Sequence, residues 1–224
     1  MSNQKILKMK TFKIIALSVI LCFIVPSLFS QTIADFFNNK AEVTWLGIDF
    51  SHVRLVGEFT QFKDAGPMDP AEIRDRYFPS WNSLVLNEPD KYDVKGMFKL
   101  NQMKISIDMI QKLNAETQPQ NMKAYEAPQY SCDEMRKYVR NYTPEAVQGL
   151  GIVFVAEVLN KTIDMGSFFI IVLDMKTKDI LLCEKMSGKA SGIGVRNFWA
   201  GSIYNIIKEV KKSEYNKWKT DYSR

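Results

Sequence analysis

His52 is the only histidine of the chain, so any step that needs an imidazole must run through it. Asp49 and Ser51 stand just before it, and serine, histidine and aspartate are the parts of a nucleophilic triad. A triad needs convergence in space, however, and residues two or three apart at a strand end need not converge. The Gly-x-Ser-x-Gly turn that exposes a nucleophilic serine does not occur in the sequence. Zinc centres built from several histidines are excluded by the same count, and no metal site or cofactor is expected. Glu157 stands out because it interrupts the otherwise apolar run 152–159. A carboxylate buried there must be paired, with Lys161 or Arg54 as the expected partner. Asp49, His52 and Glu157 form the candidate polar cluster. Paired carboxylates can also act as the acid and base of a glycosidase, and Glu42, Asp49, Glu58, Glu88, Glu157 and Glu184 lie in or near ordered stretches. A strand end entering a turn, together with a structural ion pair, accounts for the same residues without catalysis.

The loop SGKASGIGVR, residues 187–196, joins an apolar run to a helical one. Its Gly188, Lys189, Gly192, Gly194 and Arg196 make it the candidate anion or partner loop, since backbone N–H groups at a helix start can cradle an anion. Neither glycine-rich phosphate pattern is met: no glycine lies five positions before Gly188-Lys189, and Asn197 stands three after Gly194. The plainer reading is that the glycines let the chain turn and let Trp199 dock on a sheet.

These residues need a frame to hold them. Residues 42–50 and 152–159 read as buried strands, and 53–59 as a continuation of the first or a short second strand after a kink at Ser51-His52. Asp69-Pro70-Ala71-Glu72 starts a helix that Pro79 should kink. Apolar and polar residues alternate over 103–110, which predicts a half-exposed edge strand. Ser131 and Glu134 form a capping box opening a second helix. Residues 168–173 and 180–186 flank the turn DMKTKD and read as an antiparallel hairpin. A final helix is expected from about 196 to 212, followed by a polar tail over about 213–224. The element order β-α-β-α-β-β-β-α predicts an α+β single domain, a mixed sheet of about five strands with helices packed on it.

The first 30 residues read differently. Lys5, Lys8, Lys10 and Lys13 precede a run over 14–29 that is apolar except for Ser18, Pro26 and Ser27. That is the pattern of a cleaved export signal, with the cut expected after Ser30 and the mature chain starting at Gln31. The run is shorter than the roughly 20 residues of a membrane span. Leu21 before Cys22, where a lipoprotein signal has a small residue, argues against lipid attachment. The whole chain carries 30 Lys and Arg against 25 Asp and Glu, and without the four leader lysines the ratio is 26 to 25. Such a balance, with no basic stripe in the mature part, excludes nucleic acid as an expected partner. The basic tail, with Lys208, Lys211, Lys212, Lys217, Lys219 and Arg224, could touch a membrane surface weakly, although a solvated helix face explains it as well. Cys132 and Cys183 remain in the mature part. Export permits their pairing, but two cysteines are no framework, and free buried thiols are the expectation.

Three stretches, VTWLGIDFSHVRLVG, NKTIDMGSFFIIVLDMKTKDILL and SGKASGIGVRNFW, resemble an uncharacterised family of exported proteins of Bacteroidetes-type bacteria. A looser, fold-level likeness to the N-terminal domain of TolB and related CsgG-like envelope domains rests on element order and the D-x-x-T-x-D turn. Those domains contact other envelope proteins, which implies a binding role and licenses no catalytic residue.

The expectation is an exported, periplasmic or extracellular, non-catalytic binding or assembly module of the envelope. Its expected partner is another envelope protein or a second copy of itself. The alternatives are a hydrolase using acids near the first strand and a carrier of a small apolar ligand.

Overall fold

The computed structural model describes residues 31–59, 69–145 and 148–222. The export signal expected over residues 1–30 lies outside the described residues. No helix among the described residues is long and apolar enough to cross a membrane.

The sheet is organised around one long strand. In chain order the elements are α1 (Ile33–Phe37), β1 (Val43–Asp49), β2 (Arg54–Val56), α2 (Pro70–Glu72), α3 (Phe78–Asn82), α4 (Leu84–Asn87), α5 (Val94–Met97), β3 (Lys104–Ile105), α6 (Asp108–Ala115), β4 (Lys123–Ala124) and α7 (Cys132–Val139). They continue with β5 (Leu150–Asn160), β6 (Met165–Asp174), β7 (Ile180–Lys189), α8 (Gly194–Glu209) and α9 (Tyr215–Tyr222). Along one side of β5 lie first β1 and then β2, both parallel to it, in register from Val43↔Leu150 to Asp49↔Val155 and from Arg54↔Val158 to Val56↔Asn160. The chain leaves the row between them at Ser51-His52. The short strands β3 and β4 add parallel to β1 and β2. On the other side β6 and β7 follow antiparallel. Seven strands thus fill five rows of a mixed sheet, because the two outermost parallel rows are each broken in two. The chain is an α+β domain.

Both faces are covered. On one, Trp45, Ile152, Phe154, Phe168 and Ile170 pack with Trp199, Ile203 and Ile206 of α8 and with Phe78 and Trp81 of α3. On the other, Val153, Val155, Phe169 and Ile171 pack with Ile110 of α6, Met135 and Val139 of α7, and Tyr142. Burial on both faces explains why β5 and β6 read as unbroken apolar runs.

Local signals hold where the chemistry is local. Asp69 caps the Pro70 helix, accepting from the Ala71 N–H at 2.9 Å. Ahead of Pro79 the chain widens into a π-helical turn over Ile73–Tyr77, with the Phe78 N–H donating to Ile73; a proline without an N–H breaks the regular ladder there. The capping box at Ser131 and Glu134 is closed in both directions. At the hairpin, Asp174 Oδ1 accepts from the Lys176 and Thr177 N–H groups at 2.8 and 2.9 Å.

Three expectations need correction. Over 103–110 only Lys104–Ile105 is strand, at the sheet edge as expected, and Asp108–Ala115 is helix. Met103, Ile105 and Ile107 alternate as in a strand, whereas Ile107 and Ile110, three apart, share a helical face, so eight residues do not separate the two periods. The polar tail is helical: a π-turn over Val210–Glu214 carries the helix on, and Tyr215 and Trp218 are buried. Two of its lysines bond to the domain, Lys211 to Asp93 at 2.8 Å and Lys219 to the Phe37 carbonyl at 3.2 Å. Tyr215 and Trp218 thus seat the tail on its own domain, while Lys208, Lys212 and Lys217 remain exposed. Finally, Cys132 and Cys183 are bonded, with S–S 2.07 Å and Cα atoms 6.1 Å apart. The capping box sets Cys132 in the first turn of α7, above the edge strand that carries Cys183, a juxtaposition invisible across 51 residues of sequence.

Candidate functional site

A cleft of about 340 Å³ opens at the carboxyl end of β1, lined by Ser51, His52 and Arg54 from the break in the row, by the chain following α6, and by Tyr138 and Asn141. Carboxyl ends of parallel strands are where open α/β sheets leave such crevices. Its position depends on how the edge of β1 is finished. Beyond Trp45, β3 no longer covers β1, and the main-chain groups of Ile48 and Phe50 face away from β5. Two buried amides replace the missing strand. Asn82 Oδ1 accepts from the Ile48 N–H at 2.7 Å while its Nδ2 donates to the Ile48 carbonyl at 2.9 Å. Asn114 Oδ1 accepts from the Phe50 N–H at 2.7 Å and its Nδ2 donates to the same Ile48 carbonyl at 2.8 Å. Gly47 makes room for this: its φ is +111°, and a Cβ there would stand 2.5 Å from Asn82 Oδ1. Neither asparagine was singled out from the sequence. An asparagine inside an otherwise apolar helical stretch is the one signal that could have marked them.

Asp49 ends this strand beneath the cleft and is 0% exposed. Its Oδ1 accepts from the Ser51 N–H at 2.8 Å, and its Oδ2 accepts from the Tyr142 hydroxyl. Burial, with the Asp49 charge added, pushes the Tyr142 hydroxyl well above the usual tyrosine range, so it stays protonated and donates. His52 stacks on Tyr138 with ring centroids 3.5 Å apart and planes within 7°. Burial is the main influence on its imidazole and lowers its pKa; Asp49 opposes this and Arg54 adds to it. Arg54 Nη1 donates to the His52 and Val53 carbonyls, each at 3.2 Å.

The structure brings Asp49 and His52 to one cleft but leaves Glu157 out of it. Glu157 falls in the register shift of β5 between Ala156 and Val158. It is buried, and its Oε1 meets Lys185 Nζ at 2.7 Å and the Tyr130 N–H at 2.9 Å. The expected partners are engaged elsewhere, Lys161 with Asp164 at 2.6 Å and Arg54 with the carbonyls named above. Lys185 reaches Glu157 across the Phe169 ring from two strands away, a pairing set by sheet register and not by sequence distance.

The glycine loop lies apart, beside a second cavity of about 330 Å³ at the start of α8. Gly192 has φ +132° and Gly194 φ +75°, and a Cβ on Gly192 would stand 2.8 Å from the Asn197 main chain. A close turn therefore needs these glycines. Arg196 is fully engaged: Nη2 to Glu88 at 2.6 Å, Nε to Ser80 Oγ at 3.0 Å and Nη1 to Asn197 at 3.0 Å. Its carbonyl accepts from the Trp81 indole at 2.9 Å. It is thus a clamp between α3, α4 and α8, not a free first-turn cation. Arg196→Ala is expected to lower stability by about 1–2 kcal/mol, a partly exposed ion pair plus its neutral bonds, in denaturant unfolding. Millimolar phosphate should leave wild-type melting unchanged; a rise that vanishes in the variant would instead make the loop an anion site.

A single histidine also makes its titration direct. The His52 ring resonance should titrate below its ordinary value of 6.5. With the folded pKa depressed, the unfolded chain binds the proton first as pH falls, so stability is lost as pH drops below about 6.5 and is unaffected above it. In His52→Gln this part of the acid sensitivity should disappear. A folded pKa at or above 6.5 by NMR would show that burial does not dominate.

Comparison with family models, with curated proteins and with solved structures finds no match to this chain. Every role assigned to the cleft therefore rests on its own residues.

Proposed function

We propose that this protein is an exported, non-catalytic binding module of the cell envelope, with the cleft at the end of β1 as its recognition site. One observation carries the reading: the buried Asp49 does not orient His52 as a triad acid would, because its two oxygens accept from the Ser51 N–H and the Tyr142 hydroxyl and, among the described residues, not from the imidazole. His52 lies face-on against Tyr138, so it serves as part of the wall of a receptor site, with Asp49 holding the turn beneath it. The Cys132–Cys183 bond supports export, because such bonds persist in oxidising compartments.

A hydrolase is the second reading, favoured by Ser51 and His52 lining one cleft above Asp49. Purified protein assayed on chromogenic esters, phosphates and glycosides should give no turnover that His52→Ala or Asp49→Asn removes. Turnover abolished by either substitution in a folded protein would replace the binding reading with the hydrolytic one. Intact mass of the secreted protein should correspond to a chain starting at Gln31; a mass retaining residues 1–30 would defeat the export reading.

A further inference from the structure

We infer that the ligand of this cleft is a neutral, hydroxyl-rich molecule, a saccharide unit laid against the His52–Tyr138 wall. The inference rests on the binding reading above and adds the chemical class.

Charge is the first argument. Asp49 and Glu116 border the cleft against the single cation Arg54. That guanidinium already gives one nitrogen to two main-chain carbonyls. His52 adds no positive charge near neutral pH, since burial lowers its pKa. A phosphate or carboxylate ligand would meet a net negative site and only part of one guanidinium.

The rim supplies the second argument. Gln118 and Asn121, from the 3-10 turn region Pro119–Asn121, and Asn141, just beyond α7, converge on the cleft. A side-chain amide both donates and accepts, as does a sugar hydroxyl, whereas an apolar ligand would cover these groups without pairing them. Among the described residues the side chains of Asn121 and Asn141 make no protein hydrogen bond, and both are exposed. They are open to a ligand in a way that the clamped Asn82 and Asn114 are not.

Shape is the third. The His52 and Tyr138 rings stack on each other, centroids 3.5 Å apart and parallel within 7°, and are half-buried, so they give the cleft a rigid side with few polar atoms against which a single small ring can rest. A volume of about 340 Å³ lies at the low end of the roughly 300–1,000 Å³ of small-molecule sites. That suits one ring with its substituents and is too small for a long chain. The carrier of an apolar ligand fits this polar rim poorly.

The test uses the purified protein on an array of neutral, acidic and amine-bearing glycans. It is followed by titration of the His52 ring resonance with maltose, lactose and diacetylchitobiose, with glucuronic acid and glucosamine as controls. Neutral sugars should bind and shift the resonance. The double variant Asn121→Ala/Asn141→Ala should weaken that binding about tenfold, the loss of one or two hydrogen bonds, while its melting temperature stays that of wild type. Binding of no glycan, or of only acidic or only amine glycans, overturns the inference. So does neutral-sugar binding that the double variant leaves unchanged. Reducing ends are measured in the same samples: their release would keep the saccharide class and defeat the non-catalytic reading, whereas failure to bind without turnover defeats the saccharide class alone.

Discussion

Removing the Cys132–Cys183 bond should lower the thermal midpoint by about 5–15 °C, the largest effect expected of any covalent change in this domain. Closing a loop of 51 residues restricts the unfolded chain by about 4 kcal/mol on the loop-entropy estimate, and native bonds deliver about 2–5 kcal/mol. For a domain of this size each kcal/mol moves the midpoint by about 2–4 °C. The bond ties α7, only eight residues long, to the edge strand β7, and a helix that short has little stability of its own. Because α7 carries Tyr138 and leads directly into Tyr142, its loosening should reach the cleft. The double variant Cys132→Ala/Cys183→Ala, compared with reduced wild type by calorimetry, checks the number. The His52 resonance should shift in both, reporting loss of the stacked ring. A midpoint change under about 2 °C with an unmoved resonance would mean that packing by Met135 and Val139 alone seats the helix.

The second large effect is expected at Asn82. Asn82→Ala leaves the Ile48 N–H without a partner in a fully buried place and removes donors to the Ile48 and Phe78 carbonyls. Each buried group left unpaired costs about 1–3 kcal/mol, so a loss of about 3–4 kcal/mol is expected in denaturant unfolding. Asn82→Asp makes a sharper case. It keeps an oxygen for the Ile48 N–H but turns a donor into a charged oxygen facing two carbonyls. At pH 7 it should be more destabilising than alanine, and the gap to wild type should narrow as pH falls and the carboxyl protonates and can donate. A gap independent of pH, or an aspartate variant as stable as wild type, would show that the amide does not serve as the missing strand. Asn114, on the same Ile48 carbonyl, is close enough that the two substitutions should not add.

How much of this was legible in the sequence follows from the range of the interactions. Asp69-Pro70, Ser131 with Glu134, and the DMKTKD turn act within a few residues, so their chemistry is written in consecutive positions. The apolar runs of β1, β5 and β6 announce burial on both faces, because a strand covered twice has no polar side to show. Segment 103–110 was ambiguous for a physical reason, since Ile107 belongs both to the alternating series with Met103 and Ile105 and to a helical pair with Ile110.

Asp49 and His52 could be picked out as rare polar residues at a strand end, which placed one side of the cleft. The other side is tertiary. Tyr138 and Tyr142 arrive from some 90 residues later, Lys185 displaces the nearer Lys161 and Arg54 as the partner of Glu157, and Cys132 meets Cys183 only because a helix start lies over an edge strand. The roles of Asn82, Asn114 and Arg196 depend on main-chain groups left over when β3 ends early and three helices meet. Local sequence thus determined where helices and strands begin and which residues are apolar enough for a core. The tertiary structure alone decided which polar groups met, because a buried donor or charge takes whichever partner the packed sheet brings within about 3 Å, regardless of its distance along the chain.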